Sequence, residues 1–251
     1  LRKVYSYEPL PDTLDARQAA LLYGIQANLF AEYIPTEEHM EYMMYPRLFA
    51  IAEVGWSSPS VKDYAHFHRR SLNAIKHMKR EGYNTFDLGN EVGNPGSEKI
   101  IQHLAVGKQV SYNNGSAYYP SYTAGGDSAL VDGWHGGWTY GDKRWQGFLG
   151  RNGVDITIDL DTVIKVRSIS ADFMQICGPG VFMPSQVTIS ASVDGQNYTQ
   201  LQCIDNDVVR DDAVTFKTFG WKGKTTARYI RYQAQRSHHG GFLFLDEVVV
   251  K

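Results

Sequence analysis

The sequence predicts a chain of two parts: an α-rich segment over roughly the first 85 residues, then a mostly β sandwich or jelly roll from about residue 104 to residue 251. Three observations carry this. Apolar residues between positions 36 and 80 recur at three-to-four spacing, the period of an amphipathic helix. From about Leu104 the period becomes two, with short alternating runs separated by turn residues. Between them lies "DLGNEVGNPGSE", Asp87 to Glu98, rich in Gly, Asn and Pro as a connector would be.

Each element has its own signal. In "GIQANLFAEYIPT", Ile25, Ala27, Leu29 and Ala31 alternate with Gln26, Asn28 and Phe30, which reads as a short buried strand over Gly24 to Glu32. It places the carboxylate of Glu32 at its end, where desolvation opposes the charge. Thr36 caps the following helix, and Glu37 and Glu38 suit its positive end. Met40, Met43, Met44, Leu48 and Ile51 form its apolar stripe, and Pro46 bends or interrupts it. A second helix runs from about Val61 to Arg80, with Tyr64, Phe67, Leu72, Ile75 and Met78 inward and Gly82 as its stop. In the β part, "VDITIDL" sets Val154, Ile156, Ile158 and Leu160 against polar neighbours. "QVTISASVDGQNYTQL" is a hairpin turning at Asp194-Gly195. "AVTFKTF", "ARYIRYQAQ" and "FLFLDEVVV" complete the strands, and many short strands without helices mean a sandwich or jelly roll.

Composition bounds the function. With 43% hydrophobic and 21% charged residues the chain is globular, and at a net charge of -2 no basic stripe argues for nucleic acid and no polybasic run for an anionic membrane. Aromatics reach 13%, which suits sugar rings but equally suits cores. Cys177 and Cys203 either pair in an oxidising compartment or stand as two free thiols. No run approaches the roughly 20 apolar residues of a transmembrane segment. The opening "LRKVYSYEPLPDTL" has neither an initiator Met nor an apolar signal region, so the chain reads as a fragment. No organic cofactor is expected.

The first region resembles the C-terminal end of the catalytic (β/α)8 barrel of glycoside hydrolase family 20, the β-N-acetylhexosaminidases and chitobiases. The residues carrying this are "KVYSYEP", "GIQANLFAEYIPTEEHMEYMMYPRLFAIAEVGWS" and "HFHRRSLNAIKHMKREGYN". The resemblance implies that Gly24 to Glu32 is the last barrel strand and Thr36 to Glu53 the last barrel helix, with the site at the strand's carboxyl end. It implies that Glu32 binds sugar hydroxyls, and that Phe30 stands where the family's pocket-wall tryptophan is usual. The family's general acid is the glutamate of an Asp-Glu pair on an earlier strand, and the aspartate positions the substrate's own acetamido group as nucleophile. The acidic doublets here are Glu37-Glu38, Asp211-Asp212 and Asp246-Glu247, none on such a strand. The catalytic barrel is therefore expected upstream of Leu1, and the chain alone is expected not to hydrolyse glycosides. A barrel remnant exposes apolar faces, so residues 1 to about 60 are expected to pack on the β part, to self-associate, or to rearrange.

The second region resembles the discoidin-like family (coagulation factor 5/8 type C), which includes carbohydrate-binding module family 32. It does so through "LAVGKQVSYN", "ALVDGWHGG", "RWQGFLGRNGVDITIDLDTVIKVRSISADFMQ", "PSQVTISASVDGQNYTQL" and "ARYIRYQAQ". The implied fold is an eight-stranded discoidin-like jelly-roll sandwich, and the implied division is 1–86 barrel remnant, 87–103 connector and 104–251 module. The implied partners are glycans and N-acetylhexosaminides, and the implied setting is periplasmic, cell-surface or secreted.

Family modules often hold one structural Ca2+. The resemblance implies ligands from the carbonyls of Ala129, Trp134 and Gly137, the carboxylate of Asp132, the carbonyl of Asp246 and the carboxylate of Glu247, a hard-oxygen set. The plainer reading makes Asp132-Gly133 a turn and Glu247 a solvated strand residue. For glycans, "GGWTYGDKRW" and "AQRSHHGG" offer Trp138, Tyr140, Arg236, His238 and His239, whereas Trp145 and Phe148 read as core. His238-His239 without a third ligand reads as a solvated pair, not a zinc site. The intact protein would remove terminal N-acetylhexosamine with retention. The alternative is a stand-alone carbohydrate- or surface-binding module, for which "GPGVFMP" (Gly178 to Pro184) is the segment able to form an apolar spike.

Overall fold

The computed structural model describes residues 1–11, 13–31, 34, 36–90, 101–211 and 213–251. The chain divides into two compact units, Leu1–Glu98 and Lys99–Lys251. Among the described residues no helix is long and apolar enough to cross a membrane.

The first unit is helical: α1 Arg2–Tyr5, α2 Ala16–Ala19, α3 Glu37–Met44, α4 Arg47–Trp56 and α5 Tyr64–Arg80. The Thr36 hydroxyl accepts the His39 N–H at 3.2 Å and starts α3. Pro46, which cannot donate to a helix ladder, separates α3 from α4. The Asp63 side chain caps α5, whose inward face is Phe67, Ser71 and Ile75. Tyr5, Ala50 and Phe67 make the small core, with Tyr5 stacked on Phe67 at 4.5 Å. The Tyr5 hydroxyl donates to Glu53 at 3.0 Å, and Arg70 donates to the same carboxylate at 2.5 Å. The fully buried residues of α3 and α4 are Tyr42, Ala50 and Val54; the five residues of the expected stripe are half-buried.

The expected strand over Gly24 to Glu32 is not formed: residues 24–30 have no strand pairing, and Phe30 is 73% exposed. A strand needs a neighbour for its N–H and C=O groups, and the described residues of 1–90 contain none. Glu32 lies outside the described residues.

The second unit is a single hydrogen-bonded array of eight antiparallel strands. They are β1 Gln109–Tyr112, β2 Gln146–Leu149, β3 Val154–Gln175, β4 Gln186–Ser192, β5 Thr199–Asp205, β6 Thr215–Gln235, β7 Phe242–Leu245 and β8 Val249–Val250. The order is β2-β7-β3-β6-β4-β5, with β1 and β8 also on β3. The runs "AVTFKTF" and "ARYIRYQAQ" belong to one strand, β6, because β3 and β6 stay paired through irregularities between Asp159 and Ile164 and between Val166 and Ser168. Such bulges bend a strand and reset its alternation. The bend closes the sheet over itself. The Tyr232 hydroxyl donates to the Phe219 carbonyl at 3.0 Å, although 13 residues separate them on β6. A straight strand would set them about 43 Å apart.

Between the folded halves lies one apolar core. It takes Ile156, Ile158 and Leu160 from the first half of β3, Ile169, Ala171 and Phe173 from the second, and Phe219, Ile230 and Tyr232 from β6. The β4–β5 hairpin turns as expected: Asp194 Oδ1 accepts the N–H groups of Gln196 and Asn197, and Gly195 takes φ +76. In the "GPGVFMP" segment, Val181, Phe182 and Met183 are buried, so it presents no apolar spike. Cys177 is buried, Cys203 is exposed and both are free.

Candidate functional site

Consecutive acids just after β7, Asp246 and Glu247, hold a loop that runs from Asp132 to Gly137. Both side chains are buried, Asp246 at 1% exposure and Glu247 at 0%. Glu247 Oε2 accepts the Asp132 N–H at 3.2 Å and Oε1 the Gly133 N–H at 2.9 Å. His103 Nε2 lies 2.7 Å from Oε1, while its Nδ1 accepts N–H groups from Ala105 and Val250. Since Nδ1 is an acceptor, the proton sits on Nε2 and is donated to Glu247.

One residue along, Asp246 Oδ2 faces His135 Nδ1 at 2.7 Å and accepts the Gly136 N–H at 3.2 Å; Oδ1 accepts the Asp172 N–H at 3.1 Å. His135 Nδ1 also lies 3.8 Å from Asp172 Oδ2. The loop then docks on Trp145, whose indole N–H donates to the Gly137 carbonyl at 2.8 Å. Gly136 is demanded here, because a Cβ on it would stand 2.1 Å from the Trp145 ring. Gly133, at φ +85, supplies the left-handed turn.

Burial governs the electrostatics. It pushes Asp132 up to about 6, with the Trp134 N–H opposing and the charge of Glu247 adding to the rise. It pushes Asp246 up to about 6 against the opposing hydrogen bond of His135. His135 is raised in turn, chiefly by its hydrogen bond to Asp246, against its own desolvation.

For the oxygen cage of a Ca2+ the donors fit only in part. Asp132 and Glu247 meet, as two carboxylate ligands must. Yet both oxygens of Glu247 already accept N–H donors, and the Gly137 carbonyl is taken by the indole. A hard cation wants six to eight oxygens; as it stands, the loop is a strap held by the N–H donors that Asp132, Gly133 and His103 place on Glu247. Glu247 is correspondingly no solvated strand residue.

Residues 1–59 match the family model described as glycosyl hydrolase family 20, catalytic domain, and residues 110–248 match that of the F5/8 type C domain. The chain belongs to the F5/8 type C domain family. Its first part is a fragment of a glycosyl hydrolase family 20 domain. A beta-hexosaminidase of Porphyromonas gingivalis is 45% identical over 84 residues, which cover 34% of this chain and 11% of that protein. A beta-hexosaminidase of Akkermansia muciniphila is 36% identical over 70 residues, covering 28% and 14%. The chain thus spans a small part of the length of the curated relatives it matches. Among solved structures, CpGH89CBM32-5 from Clostridium perfringens, in complex with GalNAc-beta-1,3-galactose, has a TM-score of 0.42 at 16% identity, covering 59% of this chain and 99% of its own. Chitosan-binding module 2 of a Paenibacillus sp. IK-5 chitosanase/glucanase, in complex with chitotriose, has a TM-score of 0.39 at 16% identity, covering 59% and 98%.

Within the F5/8 type C module, Trp138 and Tyr140 both lie around Trp145, and His238 lies beside His239. Trp138 stands edge-on to Phe216 at 5.1 Å, and Phe216 stacks on Trp145 at 5.9 Å. Tyr140 stacks on Phe244 at 4.9 Å and packs on the smaller core around Trp145. His239 donates from Nε2 to the Val208 carbonyl at 2.9 Å and lies over Phe182 at 5.1 Å, with His238 beside it at 3.9 Å. Arg236 is half-buried and its carbonyl accepts from Ser185. Trp145 and Phe148 are core, as expected. His103, His135 and Asp172 escaped the sequence reading: "ALVDGWHGG" contains His135, but its partners lie 37 and 111 positions away, beyond any local pattern.

Proposed function

We propose that this chain is the C-terminal part of a β-N-acetylhexosaminidase and that its F5/8 type C module binds glycans bearing N-acetylhexosamine. The observation that carries the reading is the order of the two family matches along one chain, a hydrolase portion at 1–59 followed by the module at 110–248. The catalytic Asp-Glu pair is proposed to come from other residues of a longer protein. Of the doublets here, Glu37-Glu38 opens α3 and Asp246-Glu247 is consumed by the loop. Phe30 and Glu32 would contribute sugar binding only once the barrel is complete. A periplasmic, cell-surface or secreted setting belongs to the same proposal.

Trp138 with Phe216, which is 38% exposed, is the aromatic pair best suited to a sugar ring, whose C–H face packs on aromatic faces. A glycan array with the purified chain tests the reading. Saturable binding to N-acetylhexosamine-terminated glycans, weakened about tenfold or more by Trp138→Ala, is the expected result. An array without binding would leave the module as a structural accessory and remove the sugar-binding part of the reading.

A further inference from the structure

We propose that His135, Asp172 and Asp246 form a site for one divalent transition-metal ion, with Zn2+ the ion whose preferences they fit. One ligand atom from each, His135 Nδ1 and a carboxylate oxygen of each aspartate, lies within 4.8 Å of the other two. Bonds of about 2.0–2.2 Å to Zn2+ place ligand atoms roughly 3–4 Å apart. The observed separations of 3.8 Å to Asp172 and 2.7 Å to Asp246 bracket the lower end of that range. The ion takes the place of the proton on His135 Nδ1, which is released on binding.

Each ligand is held by a group behind it. Asp246, buried at 1% exposure, has Oδ1 fixed by the Asp172 N–H and Oδ2 approached by the Gly136 N–H. The Thr218 hydroxyl donates to Asp172 Oδ1 at 2.5 Å, which leaves Oδ2 turned toward the imidazole. Such outer partners orient metal ligands and sustain affinity. The imidazole favours Zn2+ over Ca2+ or Mg2+, which prefer oxygen alone. His135 and Asp172 retain 39% and 32% of their side-chain exposure, which gives an entry path and room for a water as a further ligand.

The local charge points the same way. Asp132 feels Glu247 and Asp246 feels Asp172, while His135 feels Asp246, Asp172 and Glu247. His103 offers Glu247 an N–H with its other nitrogen unprotonated. Arg144 acts on Asp132, while His135 faces Asp246 at 2.7 Å and Asp172 at 3.8 Å. Two carboxylates this close, one of them buried, are stabilised more by a divalent ion than by one proton.

The test is calorimetric titration of the full 251-residue chain with ZnCl2 in two buffers of different ionisation enthalpy, with CaCl2 in parallel. Expected are one Zn2+ per chain, a buffer-dependent heat reporting proton release, and no competition by Ca2+. His135→Ala and Asp172→Asn should each weaken binding about tenfold or more, while a His238→Ala/His239→Ala variant should bind as the parent does. Asp172→Asn keeps the test decisive should His135→Ala fail to fold. Absence of stoichiometric binding would overturn the site and leave a protonated His135 paired with two aspartates. Binding indifferent to both substitutions, or lost in the His238/His239 variant, would overturn it equally.

Discussion

The hydroxyl of Tyr232 donates to the carbonyl of Phe219 at 3.0 Å, and the two residues lie on one strand. No straight strand permits this contact, so it reports the fold-over of β6 that turns one sheet into a sandwich. Tyr232 is fully buried, and its ring runs nearly parallel to that of Phe173 at 6.4 Å. Tyr232→Phe keeps the ring and strands the carbonyl. We expect a loss of about 1–3 kcal/mol of stability, seen as a lower urea midpoint at unchanged slope. An unaltered midpoint would show that the closure does not depend on this bond.

The loop from Asp132 to Gly137 is shaped by the close approach of Gly136 to Trp145. Gly136→Ala forces either the backbone or the indole to move, and a displacement of that kind costs about 1–3 kcal/mol. Gly178→Ala is the control, since nothing lies within 4 Å of a Cβ there; it should change stability by no more than about 0.5 kcal/mol. Thermal melting of the two variants side by side checks the contrast.

Asp155 gives the module an acid-sensitive anchor. Burial alone would push its carboxyl up, but Arg231 donates to it twice, at 2.9 and 2.7 Å, and Asn114 and Asn113 add further bonds; the net result is a lowered value. A carboxyl lowered on folding contributes stability above its unfolded value and loses it as pH falls through the folded one. Stability should therefore decline as pH drops below about 4. Asp155→Asn should flatten that limb and lower stability at pH 7 by about 2–3 kcal/mol, less than for a fully buried pair, since Arg231 keeps 28% of its side-chain exposure. Denaturant melts from pH 2.5 to pH 7 measure both effects.

The helical unit leaves Tyr23 and Trp56 each 94% exposed, together with Phe30. Large apolar side chains in that state favour association. Sedimentation velocity should show a concentration-dependent shift to larger species that Trp56→Ser reduces. A single sedimenting species over a hundredfold range of concentration would contradict this.

The β part was legible because its signals are local: alternation in "VDITIDL", the Asp194-Gly195 turn, and the order of motifs. The merging of two runs into β6 was not, since a bulge interrupts the period that marks a strand. The site was legible as a place and not as a set. "ALVDGWHGG" and "DEVVV" were singled out, yet their joining by N–H donors, with His103 and Asp172 brought in, depends on contacts 74 to 147 residues apart. The strand over Gly24 to Glu32 failed for another reason. Its pattern is right for a barrel, but a strand exists only with neighbours.

We propose that this chain binds N-acetylhexosamine glycans without cleaving them. Calorimetric titration of the purified chain with N,N′-diacetylchitobiose tests it in one trace. The predicted result is a series of heats that saturate and return to baseline after each injection. A sustained heat of turnover, or no heat at all, would contradict it.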